Sequence, residues 1–274
     1  NGLLIQHIDV IELETNTSYG SYPDGTLNYF VFLQPSPDLP NYINPAVDFI
    51  SFSQRGGIYD KAFSLTITTQ SDNRIFYTLD GSTPSVSSLL YTEPLVLNHN
   101  LCSPQNISFI QISPPQYFYP NNSADILKSI VIKAAAFDSE DNRISSVETN
   151  SYFIKELNVK HNLPIISITA NYDDLFDEAN GILVPGIYQD SANVDWTGNY
   201  YMSGIEWERE IFVEFYEPNN KIGFRQDAGL RTHGGNSRRF PQKGLRLYAR
   251  KEYGNSNFNY QVFSDRKTDK YKRL

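Results

Sequence analysis

Residues 233–243 contain glycines and polar side chains whose types and spacing suit the binding of an anion. They follow a strand-like run at 229–232, and a lysine precedes the next strand-like run at 244–250. Glycines let the main chain approach an anion closely, and consecutive N–H groups can surround phosphate oxygens. A lysine beside the following strand can add a positive charge for the same phosphate. The candidate phosphate-binding residues are Gly234, Gly235, Asn236, Ser237, Arg238, Lys243 and Arg231.

The same pattern has a second interpretation, as a β-hairpin turn with a solvated basic face. A short glycine-rich loop is a weak pattern by itself, and Arg238 and Arg239 would add positive charge in either case. The residues alone leave both interpretations open.

The composition favours strands over helices. Of the 274 residues, 14% are aromatic, with 19 Tyr and 17 Phe, and these residue types are enriched in strands. The 16 Gly and 15 Pro indicate many turns and few long helices. Hydrophobic residues at 40% and charged residues at 20% are typical of a globular chain, which is long enough for more than one domain.

Charge and cysteine content exclude several classes. A net charge of −8 argues against a nucleic-acid partner, because phosphate contacts need a basic surface. The one cysteine, Cys102, cannot form an intrachain disulfide and is expected to be a small buried hydrophobic residue. No apolar run approaches the roughly 20 residues that span a bilayer, so we predict no membrane span in this chain.

Changes in pattern along the chain suggest three parts. Residues 1–41 contain a turn cluster, a strand at 29–33 and a proline-rich linker. Residues 46–155 alternate strand-like runs with turns, as in a β-sandwich, with an extended insertion at 102–128. Residues 160–274 form the third part. The predicted strands are 63–69, 75–79, 95–97, 130–137, 151–154, 164–169, 211–216 and 244–250.

The first part resembles the end of a bacterial lamin-tail domain. The resemblance rests on Tyr-Gly-Ser-Tyr-Pro-Asp-Gly at 19–25 and on Pro-Ser-Pro-Asp-Leu-Pro-Asn at 35–41. It implies an immunoglobulin-like sandwich of which this chain holds the C-terminal portion.

The second part resembles the chitobiase C-terminal type of β-sandwich. Ile-Phe-Tyr-Thr-Leu-Asp-Gly-Ser-Thr-Pro at 75–84 places an Asp-Gly turn after a strand, and Ile-Lys-Ala-Ala-Ala at 132–136 follows as a later strand. The resemblance implies a module of secreted carbohydrate-active or surface proteins. Tyr77, Asp80 and Thr83 are more simply explained as fixing the turn than as a sugar site.

The third part resembles the start of a CotH kinase domain. The motifs are Leu-Pro-Ile-Ile-Ser at 163–167, Asp-Leu-Phe-Asp at 174–177, Glu-Trp-Glu-Arg at 206–209, and the run from Gln226 to Arg250. The resemblance implies a nucleotide-facing loop at 234–237, a phosphate-contacting Lys243, and ATP with Mg²⁺ as the cofactor of the full-length protein. The sequence has His-Gly-Gly-Asn-Ser at 233–237 where the spore-coat branch has an Arg-Gly-Asn type of loop, which favours the surface-protein branch.

The resemblance also implies that this chain is not catalytic. Phosphoryl transfer needs carboxylates that hold Mg²⁺ and position the acceptor, and the family carries them beyond the strand-rich opening. We therefore predict no catalytic residues and no cofactor in this chain.

Other chemistries have less support. The four histidines lack metal-ligand spacing, and the acidic cluster at 173–178 is explained better by a helix N-terminus than by a calcium loop. We predict no metal site. Glu206, Glu208 and Glu210 alternate as strand neighbours would, without specific support for glycosidase chemistry.

The sequence thus predicts a mainly β, multidomain protein: an immunoglobulin/fibronectin-like β-sandwich followed by a β-rich α+β kinase-like N-terminal segment. The leading functional hypothesis is a non-catalytic fragment of an exported or cell-surface bacterial CotH-like protein, with a spacer or binding module and a nucleotide-phosphate loop. The alternative is a carbohydrate- or surface-binding adhesion module whose partner is a glycan or a surface protein. A purely structural surface protein is the third hypothesis.

Overall fold

The computed structural model describes residues 18–21, 29–32, 48–69, 71–98, 101, 107, 110–117, 129–154 and 163–274. The chain divides into two compact units, 1–47 and 48–274. In the first unit, β1 (Ser18–Ser21) pairs antiparallel with β2 (Tyr29–Phe32), which confirms the strand expected there. The proline-rich linker, most of the lamin-tail motif and Cys102 lie outside the described residues.

The first half of the second unit is built from short strands. They are β3 (Ser51–Phe52), β4 (Gly57–Tyr59), β5 (Phe63–Leu65), β6 (Ile67–Thr68), β7 (Arg74–Thr78), β8 (Leu89–Leu90), β9 (Leu95–Leu97), β10 (Ser129–Phe137) and β11 (Glu148–Ile154). Five of them form a sheet in the order β4-β11-β10-β7-β8, called here the first sheet, and β3–β6 and β5–β9 form two-stranded pairs. The run predicted as one strand at 63–69 is interrupted at Thr66, so it divides between two pairs.

The predicted Asp-Gly turn follows β7. The Asp80 carboxylate accepts hydrogen bonds from the main-chain N–H and the hydroxyl of Ser82, and Gly81 has a φ of 83°. A positive φ is available to glycine without a steric penalty, so the turn needs glycine at this position. Asp80 therefore has a structural role in the turn.

Strand β11, an inner strand of the first sheet, is buried on both faces. Six of the seven residues of β11 are buried, among them Ser151, Tyr152 and Phe153. A half-exposed strand would bury only alternate residues. One face of β11 packs on the β5–β9 pair, where the ring centroids of Tyr152 and Phe63 are 5.8 Å apart. The other face must be covered by residues from elsewhere in the chain.

A second sheet covers this other face of β11. Its strands are β12 (Ile165–Thr169), β13 (Arg209–Tyr216), β14 (Ile222–His233) and β15 (Gly244–Tyr248), all antiparallel and in chain order. A helix, α1 (Tyr172–Phe176), follows β12, and a small pair, β16 (Phe258–Asn259) and β17 (Lys270–Tyr271), follows β15.

Alternation along β13 gives the second sheet one apolar face and one face that carries both polar and aromatic side chains. Ile211, Val213 and Phe215 are buried in a cluster with Phe224 and Leu230 of β14. Burying a side chain of this size contributes roughly 1.5–3 kcal/mol. The intervening residues of β13, including Glu210 and Glu214, lie on the opposite face.

Two local predictions can be compared with this structure. The helix α1 has Asp173 and Asp174 in its first turn, as the helix N-terminus interpretation of the acidic cluster requires. The alternation expected for Glu206, Glu208 and Glu210 is wrong, because β13 begins only at Arg209. Glu206 lies in a 3-10 turn at Ile205–Trp207, since the preceding Gly204 has a φ of 106° and turns the chain there.

These results establish a mainly β fold. The division at 46–155 and 160–274 remains a prediction. In the portion of the chain that the structure describes, every helix is too short or too polar to cross a bilayer.

Candidate functional site

The glycine-rich segment is the turn between β14 and β15. Strand β14 ends at His233, a 3-10 turn spans Asn236–Arg239, and β15 begins at Gly244. Gly234 has a φ of 115°, and a Cβ added there would lie 2.4 Å from the Ser237 hydroxyl. A Cβ added at Gly235 would meet nothing within 4 Å. Gly234 is therefore required by the turn itself, whereas the main chain at Gly235 is open to solvent.

Lys243 stabilises this turn through hydrogen bonds to main-chain oxygens. Its ammonium donates to the main-chain oxygens of Arg238, at 2.7 Å, and Phe240, at 3.0 Å. The same ammonium lies 4.3 Å from the centroid of the Tyr200 ring. Burial lowers the pKa of Lys243 to about 7, although carbonyl oxygens and an aromatic face both favour the charged form. The lysine thus binds the carbonyl end of the 3-10 turn, where it satisfies main-chain acceptors.

The two arginines of the predicted phosphate site, Arg238 and Arg231, have different partners. Arg238 donates from Nε to the main-chain oxygen of Gly234, at 2.7 Å, and from a terminal nitrogen to that of Tyr201, at 3.1 Å. Arg231 pairs with Glu208 at 2.6 Å. The structure therefore brings Arg238 and Lys243 to the turn, while Arg231 is engaged by a carboxylate.

Glu208 is an unexpected centre of charge. Its fully buried carboxylate binds Arg231 and Arg250, each at 2.6 Å, and the two guanidiniums stack on Tyr248 at 4.7 and 4.9 Å from the ring centroid. Burial acts to raise the pKa of Glu208, but the hydrogen bonds and charges of the two arginines outweigh it, so the pKa is lowered. The Glu-Trp-Glu-Arg motif contained this residue, but no sequence pattern linked it to Arg250.

The most extensive feature is the contact between the two sheets. Tyr216 has no exposed surface, its ring is 5.9 Å from that of Phe153, and its hydroxyl lies 3.3 Å from the main-chain oxygen of Ser151. The hydroxyls of Ser151 and Ser167 are 2.8 Å apart. These contacts join β11 of the first sheet to β12 and β13 of the second, and we call this region the sheet junction.

Further side chains extend the junction at both ends. At one end, Asn220 accepts a hydrogen bond from the main-chain N–H of Ile58, at 2.6 Å. At the other, the Arg225 guanidinium donates to the main-chain oxygen of Thr149. Gly56 has no room for a side chain, because a Cβ there would lie 2.6 Å from the Tyr216 hydroxyl.

The junction also buries ionisable groups. Tyr216 donates to Oε1 of Glu214 at 2.7 Å, whereas Oε2 of that glutamate is buried without a hydrogen bond to the described residues. Burial raises the pKa of Glu214, and the nearby Ser151 hydroxyl only partly offsets this effect. Burial likewise lowers the pKa of Lys133, on β10, against the attraction of Asp227 and Glu210. The interior between the sheets thus contains hydrogen-bonded polar groups together with one buried carboxylate oxygen, Oε2 of Glu214, that has no hydrogen bond to the described residues.

The acidic side chains of the described residues can be compared with metal-binding arrangements. Among the described residues, no cluster of three or more His, Cys, Asp or Glu side chains could hold a metal ion. The Asp177 carboxylate accepts hydrogen bonds from the main-chain N–H groups of Ala179 and Asn180 and so terminates α1.

Comparison with known proteins identifies part of the chain. Residues 65–152 match the family described as Fn3 associated. The match runs from β5 to β11 and includes the insertion, so this segment is called here the Fn3-associated module. It covers the part that the sequence analysis compared with the chitobiase type of sandwich, and it supports a fibronectin-type β-sandwich module there. No curated protein and no solved structure matches the chain.

Proposed function

We propose that residues 48–274 are a rigid, non-catalytic spacer or binding unit of an exported or cell-surface bacterial protein similar to the CotH family. The sheet junction carries the proposal. A spacer must fix the direction of the neighbouring domain, and a buried junction does this where a flexible linker would not.

The junction supports rigidity because its contacts resemble those of a domain core. Contacts between domains that move freely are usually more polar and more hydrated than cores. Here Tyr216 and Ser151 have no exposed surface, and Glu214 is only 1% exposed. Opening the junction would expose the Phe153 and Tyr216 rings and break the hydrogen bonds between the sheets. We therefore expect the two sheets to move as one body.

Similarity to the CotH family and an exported location rest on the ordered motifs from 163 to 250. By the same resemblance, catalysis would need carboxylates that hold Mg²⁺, and the family carries these outside its strand-rich opening. A surface protein or a glycan would be the partner of such a unit.

A nucleotide-phosphate site at the 234–237 turn is a second candidate. The open main chain at Gly235 and the basic side chain of Arg238 favour it. Because Lys243 binds carbonyl oxygens, we expect it to act on this site by shaping the turn.

Thermal unfolding of the full chain with Mg-ATP or with Mg²⁺ alone tests this second candidate. We expect Mg-ATP to raise the Tm and Gly235→Ala to reduce the increase without lowering the Tm of the free protein, because its Cβ enters open space. An unchanged Tm at millimolar Mg-ATP would remove the nucleotide role and leave the spacer proposal intact.

Native-state hydrogen exchange in low guanidinium chloride tests the spacer proposal. If the sheets form one body, amides of β11 and β13 open with the same free energy and the same denaturant dependence. Tyr216→Ala should separate the two opening energies. If β13 opens well below β11 in the unaltered chain, the second sheet moves independently and the proposal fails.

A further inference from the structure

Three aromatic rings surround the guanidinium of Arg239. Its central carbon lies 5.0 Å from the ring centroid of Tyr117, 5.3 Å from that of Phe240 and 5.6 Å from that of Trp196. Asp195 pairs with the same guanidinium at 3.2 Å. We call these five residues the Arg239 cluster. None of them belongs to the sites described above.

The cluster is assembled from segments that are far apart in sequence. Tyr117 lies in the 3-10 turn Pro115–Tyr117 of the insertion within the Fn3-associated module, and its ring is 5.2 Å from that of Phe240. The neighbouring Gln116 donates to Asp195 at 3.3 Å. Residues 115–117 of the insertion therefore dock on two loops of the second sheet, and the cluster includes residues from all three segments.

Trp196 is the exposed member of the cluster. It is 55% exposed, although it is the largest apolar side chain there. It is held by the Arg239 guanidinium and by the ring of Tyr201, 6.2 Å away, whose hydroxyl donates to the main-chain oxygen of Asp195 at 2.8 Å. A large aromatic ring that is held by its neighbours and more than half exposed provides contact area at little cost in conformational entropy.

Polar groups lie beside the exposed ring. The side chain of Asp195 is 39% exposed; its Oδ1 accepts one hydrogen bond from Gln116, and its Oδ2 forms the ion pair with Arg239. A carboxylate oxygen can accept more than one, and the exposed amide of Gln116 keeps a donor and an acceptor. Hydroxyl groups of a ligand could therefore be bound next to an apolar stacking surface.

The charges favour a neutral ligand. Asp195 offsets the charge of Arg239, while the nearby Arg238 and Lys243 donate to main-chain oxygens. A site for phosphate or sulfate would keep cationic donors free for the anion. The combination of an exposed aromatic ring, hydroxyl-binding groups and balanced charge fits the flat apolar face and hydroxyl rim of a sugar ring.

We propose that the Arg239 cluster binds a neutral polysaccharide, with one sugar ring stacked on Trp196 and its hydroxyls bound by Asp195 and Gln116. This site differs from a sugar site within the sandwich alone, because it needs the docked insertion and the loops of the second sheet together. It does not depend on similarity to the CotH family.

The test uses affinity electrophoresis of the full chain in gels that contain soluble β-glucan, xylan, galactomannan, glycol chitin or starch, with heparin as the anionic comparison. We expect at least one neutral polysaccharide to retard the protein. Trp196→Ala should abolish retardation or weaken it by about tenfold or more, as expected for a central aromatic anchor. Trp207→Phe, which changes the other of the two tryptophans, should leave it unchanged.

Fluorescence gives an independent readout. In Trp207→Phe the remaining emission comes from Trp196, so the matching oligosaccharide should change its intensity in a saturable titration. Because Trp196 is exposed, Trp196→Ala should keep the Tm of the unaltered chain. Retardation by heparin alone, by none of the neutral polysaccharides, or equally with Trp196→Ala would each overturn the proposal.

Discussion

The hydroxyl of Tyr216, on β13 of the second sheet, lies 3.3 Å from the main-chain oxygen of Ser151, on β11 of the first sheet. This contact explains why β11 is buried on both faces. It also explains why Gly56 must be glycine, since the Tyr216 hydroxyl occupies the place of a side chain there.

Gly56→Ala should weaken the junction. The added Cβ would lie 2.6 Å from the Tyr216 hydroxyl and 2.9 Å from the main-chain oxygen of Ser151. Because main chain cannot move aside easily, we expect the free energy of unfolding to fall by about 2 kcal/mol. Gly235→Ala is the matched control and should change it by less than about 0.5 kcal/mol. Guanidinium denaturation of both variants measures the difference, and equal stabilities would contradict the account of Gly56.

Glu214→Gln should stabilise the protein at neutral and alkaline pH. Since burial raises the pKa of Glu214, the folded state holds more protons than the unfolded state between the ordinary and the raised pKa, and stability falls as pH rises through that window. Glutamine keeps an acceptor for Tyr216 but no charge. We expect a gain of about 1 kcal/mol at pH 8 that disappears near pH 4.

Unfolding curves at pH 4, 6 and 8 test the Glu214 prediction. Asp173→Asn, on the surface helix α1, controls for the loss of one carboxylate. A loss of stability at pH 8 in Glu214→Gln would show that the charged carboxylate is favoured in the junction, contrary to this account.

Glu208→Gln should be strongly destabilising. It leaves Arg231 and Arg250 without the buried carboxylate that both contact at 2.6 Å, and breaking a buried ion pair costs about 3–5 kcal/mol. The pKa of Glu208 is lowered in the folded state. The carboxylate therefore contributes to the free energy of unfolding above the ordinary carboxyl pKa, and this contribution is lost as pH falls through the lowered pKa. The exposed pair Arg74–Asp141 is the comparison, and Asp141→Asn should cost at most about 1 kcal/mol. Similar losses in the two variants would contradict the role of Glu208.

Lys243→Met should remove a pH dependence in the alkaline range. Burial lowers the pKa of Lys243 to about 7, so above that pH the folded state binds fewer protons than the unfolded state and stability rises with pH. The free energy of unfolding rises by about 1.4 kcal/mol for each unit by which folding lowers the pKa, and the rise ends near the ordinary lysine pKa. Denaturation between pH 7 and 10 should show a steeper rise in stability in the unaltered chain than in Lys243→Met, which retains only the smaller contribution of groups such as Lys133. Lys251→Met, at an exposed position, is the control, and an equal slope in both variants would contradict the prediction.

Local patterns predicted most of the strands. The strand-like runs at 211–216 and 130–137 place β13 and β10 within two residues of their observed limits. The Asp-Gly signal likewise predicted the turn after β7. These strands and this turn depend on residues that are close together in the sequence, so a single sequence is sufficient to predict them.

Local sequence patterns could not predict which groups the candidate residues contact. Lys243 binds main-chain oxygens, which every residue possesses, so no residue type could reveal them. Glu208 meets Arg250 across 42 positions, and Tyr216 meets Ser151 across 65. Such contacts follow from how the sheets pack, and a single sequence does not encode them as a spacing.

A distance measurement between the sheets tests the central claim most directly. In a Cys102→Ser background, spin labels at Glu93→Cys and Asn255→Cys, both exposed positions, report the separation across the junction by double electron–electron resonance. If residues 48–274 are one rigid body, the distance distribution should be narrow and unimodal, and Tyr216→Ala should broaden it. A broad or bimodal distribution in the chain with Tyr216 intact would contradict the rigid spacer.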